Sequence, residues 1–183
     1  MPPILSGQVL SGYVATLTSM STWDDVMTAA PDLATRVRER FEQTGLALLA
    51  TLRRDGAPRI SGIETYFGDG QLWLGMMPQS LKAKDLRRDG RFALHAATAD
   101  KEMSDGDAKI AGVAIEVTDA GERAAFARGF AEATGYDPSE TGDFHLFRLD
   151  VTEVVFLSIA PEGDAMLIER WSPDRGVETV RRA

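Results

Sequence analysis

The sequence predicts a mainly β protein, a split β-barrel with helices inserted at three points. Three observations lead there. Runs suited to strands recur from Leu46 to Trp171. The dipeptides Asp55-Gly56 and Asp69-Gly70 each stand between such runs, where a tight turn needs residues that accept positive φ. The strands also follow one another closely in the chain, which favours a small closed or split barrel over a doubly wound sheet.

Residues 1–22 show no sustained period and include Gly7 and Gly12, so they are expected to form an irregular arm, with residues 23–183 as one domain. Ser21 or Thr22 is placed to cap a short helix over Trp23–Ala29. Pro31 suits a first helical turn, and Leu33, Val37 and Phe41 recur at helical spacing up to Thr44. Gly45 suits the left-handed position that ends such a helix. The first strand, Leu46–Arg53, is apolar on both faces, so both must be covered: one by the barrel interior, the other by a helix or a second subunit. The second, Arg59 to Phe67, carries polar groups on both faces and reads as a binding wall. Gly62, and Gly75 in the third strand (Gln71–Met77), leave the backbone open to a flat ligand. A helix is expected over Gln79–Arg88 and a strand over Arg91–Ala97, followed by an acidic loop at Asp100–Asp107 and a strand at Ala108–Val117. Asp119 and Glu122 resemble a capping box opening a helix that runs to Thr134 and closes at Gly135. The connector Tyr136–Asp143 leads to a long strand, Phe144–Ile159, and a last strand, Met166–Trp171.

Composition removes several function classes. At 183 residues the expectation is one domain with a sizeable core. A net charge of −8 and a pI near 4.8 argue against nucleic acid as the main partner, though they leave room for a local basic pocket. With no cysteine, thiolate nucleophiles, disulfides and Cys-based metal sites are excluded. His95 and His145 stand in no zinc-ligand spacing and read as structural histidines. Asp105-Gly106-Asp107 reads as a turn, because too few oxygen ligands follow for calcium. No run is long and apolar enough to span a bilayer. The first twenty residues lack the basic start of a secretory signal, so a cytoplasmic protein with neither membrane nor metal is expected.

The chemistry is concentrated where the third strand meets the next helix, at Pro78–Lys84. A helix N-terminus offers unpaired N–H groups and positive potential to an anion. Ser80 adds a hydroxyl, Lys82 a point charge, and Arg59 on a nearby strand a planar guanidinium fork. Together they read as a seat for a phosphorylated cofactor. Lys84 reads as an ordinary surface residue, and Arg87-Arg88 with Asp85 and Asp89 as a salt-bridged solvent face. Met76-Met77 reads as core, although a thioether also suits a flat aromatic ligand. No Ser–His–Asp or paired-carboxylate arrangement stands out, so catalytic residues stay unassigned. That is expected where a cofactor supplies the hydride chemistry.

The runs Ala50-Thr51-Leu52-Arg53-Arg54-Asp55-Gly56-Ala57-Pro58-Arg59-Ile60-Ser61, Leu72-Trp73-Leu74-Gly75-Met76 and Lys82-Ala83-Lys84-Asp85-Leu86-Arg87-Arg88-Asp89-Gly90-Arg91 resemble the pyridoxamine 5′-phosphate oxidase-like split-barrel family. The resemblance implies a homodimer with flavin or deazaflavin at the subunit interface. It implies that Arg59, Ile60 and Ser61 touch the flavin phosphate and ring, and that Gly75 and Met76 lie beside the isoalloxazine. Ser80 and Lys82 would hold the phosphate, and Trp171 and Arg175 are loose counterparts of the family's late Trp and Arg. Two residues depart from the oxidase pattern. Leu81 replaces an arginine that would add a bidentate phosphate contact. Glu64 replaces a lysine and would repel a phosphorylated substrate. The Lys82–Arg91 run is also similar to that of the mycobacterial deazaflavin branch, so F-420, whose anionic tail can reach Lys84, Arg87 or Lys109, competes with FMN. The implied function is hydride transfer between bound FMN and a small organic substrate. The alternatives are an F-420-dependent reductase, a non-catalytic flavin- or haem-binding protein, and a cofactor-free dimeric barrel.

Overall fold

Thr22 opens the first helix. Its hydroxyl accepts from the Asp25 amide while the Asp25 carboxylate accepts from the Thr22 amide, so α1 (Trp23–Ala29) starts in a reciprocal box. Pro31 begins α2 (Pro31–Thr44), and Gly45, at φ 64°, ends it. The computed structural model describes residues 21–98 and 100–183, so the expected arm lies outside the described residues except for its last two. Of these, Ser21 is buried and bridges to Val151. Leu33, Val37 and Phe41 form one buried face of α2, as their spacing requires.

The described strands are β1 (Ala47–Leu52), β2 (Pro58–Ile63), β3 (Tyr66–Gly68), β4 (Gln71–Met76), β5 (Arg91–Ala96), β6 (Asp107–Glu116), β7 (His145–Ile159), β8 (Met166–Ser172) and β9 (Gly176–Arg182). Helix α3 (Leu81–Arg88) follows β4. Helix α4 (Ala120–Thr134) follows β6, capped by Asp119 and closed by Gly135 at φ 76°. Every ladder is antiparallel. The sheet runs β2-β1-β5-β6-β7-β4-β3, with β8 and β9 continuing from β7.

That order dictates the shape. β2 and β3 stand at opposite ends of the path yet are joined only by Glu64 and Thr65. Three peptide steps reach at most about 11 Å, so the sheet must curl until its ends meet. Among the described residues no ladder joins β2 to β3, and the barrel is split there.

Two expectations are corrected. The single strand expected from Arg59 to Phe67 is two, because β2 pairs with β1 while β3 must turn away to pair with β4. Accordingly β1 to β4 are no simple meander: the second neighbour of β1 is β5, and that of β4 is β7. Met166–Trp171 is also not the last strand, since β9 pairs with β8 throughout. β9 has no buried face, with even Val177 and Val180 nearly half exposed, so it leaves no hydrophobic alternation in the sequence.

The double apolarity of β1 resolves into two environments. Ala47, Leu49 and Thr51 face the core, while Leu46 and Leu48 are 52% and 47% exposed. Ile60 at 72% and Val113 at 42% extend this outward apolar face across β2 and β6. Elsewhere α4 covers the outside of the barrel, packing Phe126 with Trp73, Leu146, Val117 and Phe144 in a second cluster. No helix of the described residues is long and apolar enough to cross a membrane.

Candidate functional site

The link from β4 to α3 is a tight and strained turn. Gln79 sits at φ 62°, which is uncommon for a residue with a Cβ, and Ser80 follows as the helix cap. The Ser80 hydroxyl oxygen accepts from the Ala83 amide, leaving its proton for another acceptor. The first turn of α3 lies against β2. There Lys82 Nζ donates to the Gly62 carbonyl at 2.7 Å, covering part of the barrel's unpaired strand edge. Burial pushes the Lys82 pKa down, so its charge carries a solvation penalty that a neighbouring anion would relieve.

Asp85 organises the next turn. Its side chain is 5% exposed and accepts from Arg59 Nε at 2.6 Å, Thr51 Oγ1 at 3.1 Å and an Arg88 guanidinium nitrogen at 3.2 Å. Burial alone would raise its pKa. The hydrogen bonds from Arg59, Arg88 and Thr51, with the charge of Arg59, outweigh that and hold it below the ordinary aspartate value. Arg88 also donates to the Leu52 carbonyl, tying α3 to the end of β1.

These contacts frame a groove of about 720 Å³ lined by Arg53, Arg54, Asp55, Arg59, Leu81, Lys84, Asp85 and Arg88, five cations against two carboxylates. Asp85 is satisfied by Arg59 and Arg88, whereas Arg53, Arg54 and Lys84 make no ion pair among the described residues. The groove therefore has cationic donors to spare for an anion. The solvent-face reading of this helix is corrected in part. Arg87 does pair outward, with Glu116, and Asp89 with Arg91, but Asp85 is buried and Lys84 and Arg88 form groove wall. Leu81, Lys84 and Arg88 stand one helical turn apart, the spacing that marks a common face.

On the other side of the β4–α3 link lies a cavity of about 640 Å³. Tyr66, Trp73, Phe126, Phe130, Tyr136 and Phe144 contribute its rings, and Gly75, Met76, Met77 and Pro78 its floor and lip. Phe126 and Phe130, four residues apart on α4, stack with centroids 5.5 Å apart. Tyr66 stands edge-on to both. Gly129 makes room for it, since a Cβ there would lie 2.9 Å from the Tyr66 hydroxyl. The Trp73 indole donates to the Gly68 carbonyl, which fixes its ring. Glu64 and Asp143 are the charged residues of the lining.

The residues expected at the site divide into three groups. Arg59 lines the groove, Gly75 and Met76 line the cavity, and Ser80 and Lys82 lie between them. Ile60 and Ser61 lie on β2 between Arg59 and Gly62, Ile60 exposed and Ser61 half-buried, and a Cβ at Gly62 would meet open space. The remaining three stand apart. Lys109 sits on β6, 3.4 Å from an Asp107 carboxylate oxygen that His95 also approaches. Trp171 is 3% exposed in the barrel core, and Arg175 lies exposed near Asp174 and Glu178 at the β8–β9 turn. Sequence reading missed the α4 side of the site. Its trace was the Phe126/Phe130/Thr134 stripe at helical spacing, which by itself says only that one face is packed.

A family model described as pyridoxamine 5′-phosphate oxidase matches residues 33–158. Among solved structures, the chain is similar to a pyridoxamine 5′-phosphate oxidase-related, FMN-binding protein from Nostoc punctiforme. The TM-score is 0.61 at 15% identity, covering 90% of this chain and 98% of that one. It is similar to PhzG from Burkholderia lata, solved in complex with tetrahydrophenazine-1-carboxylic acid, with TM-score 0.60, 16% identity and coverage of 87% and 94%. Campylobacter jejuni ChuZ gives TM-score 0.64 at 14% identity, covering 82% of this chain and 63% of that one. No curated protein matches. At such identities the structural likenesses establish the fold, and the family match spans well over half of the chain. On these grounds the chain belongs to the pyridoxamine 5′-phosphate oxidase family.

Proposed function

We propose that this chain is an FMN-dependent oxidoreductase acting as a homodimer, and that it transfers hydride between the flavin and a small organic substrate. The observation that carries this is the placement of a cationic groove and an aromatic cavity at the two ends of the β4–α3 link, the groove taking Arg59 from β2 and the cavity taking Glu64 and Thr65 from the joint that follows β2. A flavin mononucleotide is itself one anion joined to one flat ring, so the residues present fit it. Arg59, Lys82, Lys84 and the Ser80 hydroxyl would hold the phosphate. The open backbone at Gly62 and Gly75 would face the ring. Bound there, the flavin supplies reversible hydride transfer.

The chain's own residues do the rest. Asp85 holds Arg59 in one orientation, which removes part of the ordering cost of binding an anion. The aromatic wall excludes water from the space in which a substrate would meet the ring. The outward apolar face of Leu46, Leu48, Ile60 and Val113 supports the homodimer, since exposed apolar area of this kind is normally covered by a partner. Sedimentation should show a dimer at micromolar concentration, and a monomer would remove the interface.

The enzymatic claim is tested with FMN-loaded protein, reduced and mixed anaerobically with a small quinone. Flavin reoxidation faster than for free reduced FMN at equal concentration is expected, and an equal rate would leave a binding protein. A second reading rests on the three cations without ion pairs. Arg53, Arg54 and Lys84 also suit the longer anionic tail of F-420. Tight F-420 uptake without FMN uptake would reverse the order of the two cofactors, and uptake of neither would favour the cofactor-free barrel.

A further inference from the structure

Among the described residues, the aromatic cavity has no cation in its lining. Its charged residues are Glu64, exposed at the joint between β2 and β3, and Asp143, at the far end near Phe144. Arg123 on α4, beside the Phe144 end of the wall, is already engaged. It pairs with Asp143 at 2.6 Å, donates to the Phe144 carbonyl at 2.7 Å and lies over the Phe144 ring. A site for a phosphate or carboxylate would present free donors, typically an arginine fork or a cluster of amides. This cavity presents ring faces and edges instead.

We infer that the cavity selects a flat, uncharged aromatic substrate and that Glu64 turns away its anionic analogues. The inference deepens the flavin reading and rests on it for the word substrate. Charge complementarity is one argument, because an anion entering beside Glu64, which has no ion pair among the described residues, would lose water and gain like charge. Shape is the other. Phe126 and Phe130 are nearly parallel, with an interplanar angle of 23°, and Tyr66 and Trp73 complete the wall. Gly75 closes the strand side of the cavity next to Phe126, where an added Cβ would come to 3.5 Å from the ring, an ordinary contact. A flat ring lying against this wall makes face and edge contacts with several aromatic neighbours at once.

The test compares menadione, a neutral naphthoquinone, with naphthoquinone sulfonate, the same bicycle carrying an anion. Calorimetric titrations are run on the FMN-loaded protein and on protein without added cofactor. Menadione is expected to bind at least about tenfold more tightly than the sulfonate, with Phe130→Ala lowering menadione affinity about tenfold. Glu64→Lys, at an exposed position with no folding role, should narrow the gap by raising sulfonate affinity. Equal or tighter sulfonate binding by the unaltered protein would overturn the inference. So would menadione affinity indifferent to Phe130→Ala in a variant with an unchanged circular dichroism spectrum, or binding of neither probe by FMN-loaded protein. Failure to take up FMN or F-420 is a separate result that removes the flavin reading, while the order of the two probes in the cavity still decides this one.

Discussion

The groove and the cavity are neighbours on the same β4–α3 link, but they are built on opposite principles. The groove is polar and close to the surface, and its order comes from one buried carboxylate, Asp85, that fixes two arginines and leaves other cations free. The cavity is a defect in an aromatic cluster, and its walls are also the packing between α4 and the barrel. The lesson is that a groove cation without an ion pair, such as Lys84, can be removed at the expense of a ligand, whereas a buried cavity ring such as Phe126 is removed at the expense of the fold.

Truncation sharpens that contrast most. Phe126 is 3% exposed, and Phe126→Ala should cost about 3–5 kcal/mol of stability, read as a lower denaturant midpoint. A loss under about 1 kcal/mol would mean that α4 is not held by this cluster. Next comes Asp85→Asn, which leaves Arg59 and Arg88 short of a partner and should cost about 3 kcal/mol. Its pH dependence is also specific. Because the folded-state pKa of Asp85 is depressed, its contribution is present above the ordinary aspartate range and lost as pH falls through the lower folded value. The stability difference between protein and variant should therefore shrink on acidification below about pH 4. A difference that grows there would contradict the assigned pairing.

The two lysines give the smaller effects. Lys82→Ala should weaken cofactor binding by about 1.5–3 kcal/mol, the range of a charge-assisted hydrogen bond. Lys84→Ala should cost about 1 kcal/mol of FMN affinity at low salt, with no measurable change in stability, because it has no ion pair to lose. A larger loss at Lys84 than at Lys82 would move the phosphate deeper into the groove, away from Gly62.

Much of this architecture was legible in the chain because its signals are local. Helix ends at Thr22, Gly45, Asp119 and Gly135 and the Asp69-Gly70 turn are each specified by one or two residues. The groove was legible only in part, since Arg59 lines it, whereas Ser80 and Lys82 belong to the α3 start beside it and Arg53, Arg54 and Lys84 were not singled out as its cations. What escaped is set by tertiary context. The break at Glu64-Thr65 exists because β2 and β3 pair at opposite ends of the sheet, which no local pattern encodes. Asp85 looked like one partner in a surface charge run, and only the crossing of α3 over β1 buries it. Phe126 and Phe130 looked like any helical stripe until α4 was placed outside β4, opposite Tyr66. Trp171 drew attention as a late aromatic but is placed in the core by Val154 on one side and Val177 on the other.

The central claim is that one cofactor spans both regions, its anion in the groove and its ring beside the cavity. Riboflavin, which is FMN without the phosphate, separates the two halves. The direct measurement is a pair of fluorescence titrations, FMN and riboflavin, on the unaltered protein and on Arg59→Lys, which keeps the charge near Asp85 but loses the guanidinium fork. The account predicts FMN binding at least about tenfold tighter than riboflavin, with Arg59→Lys lowering FMN affinity about tenfold and riboflavin affinity hardly at all. Equal affinity for the two flavins, or equal losses of both in the variant, would contradict it.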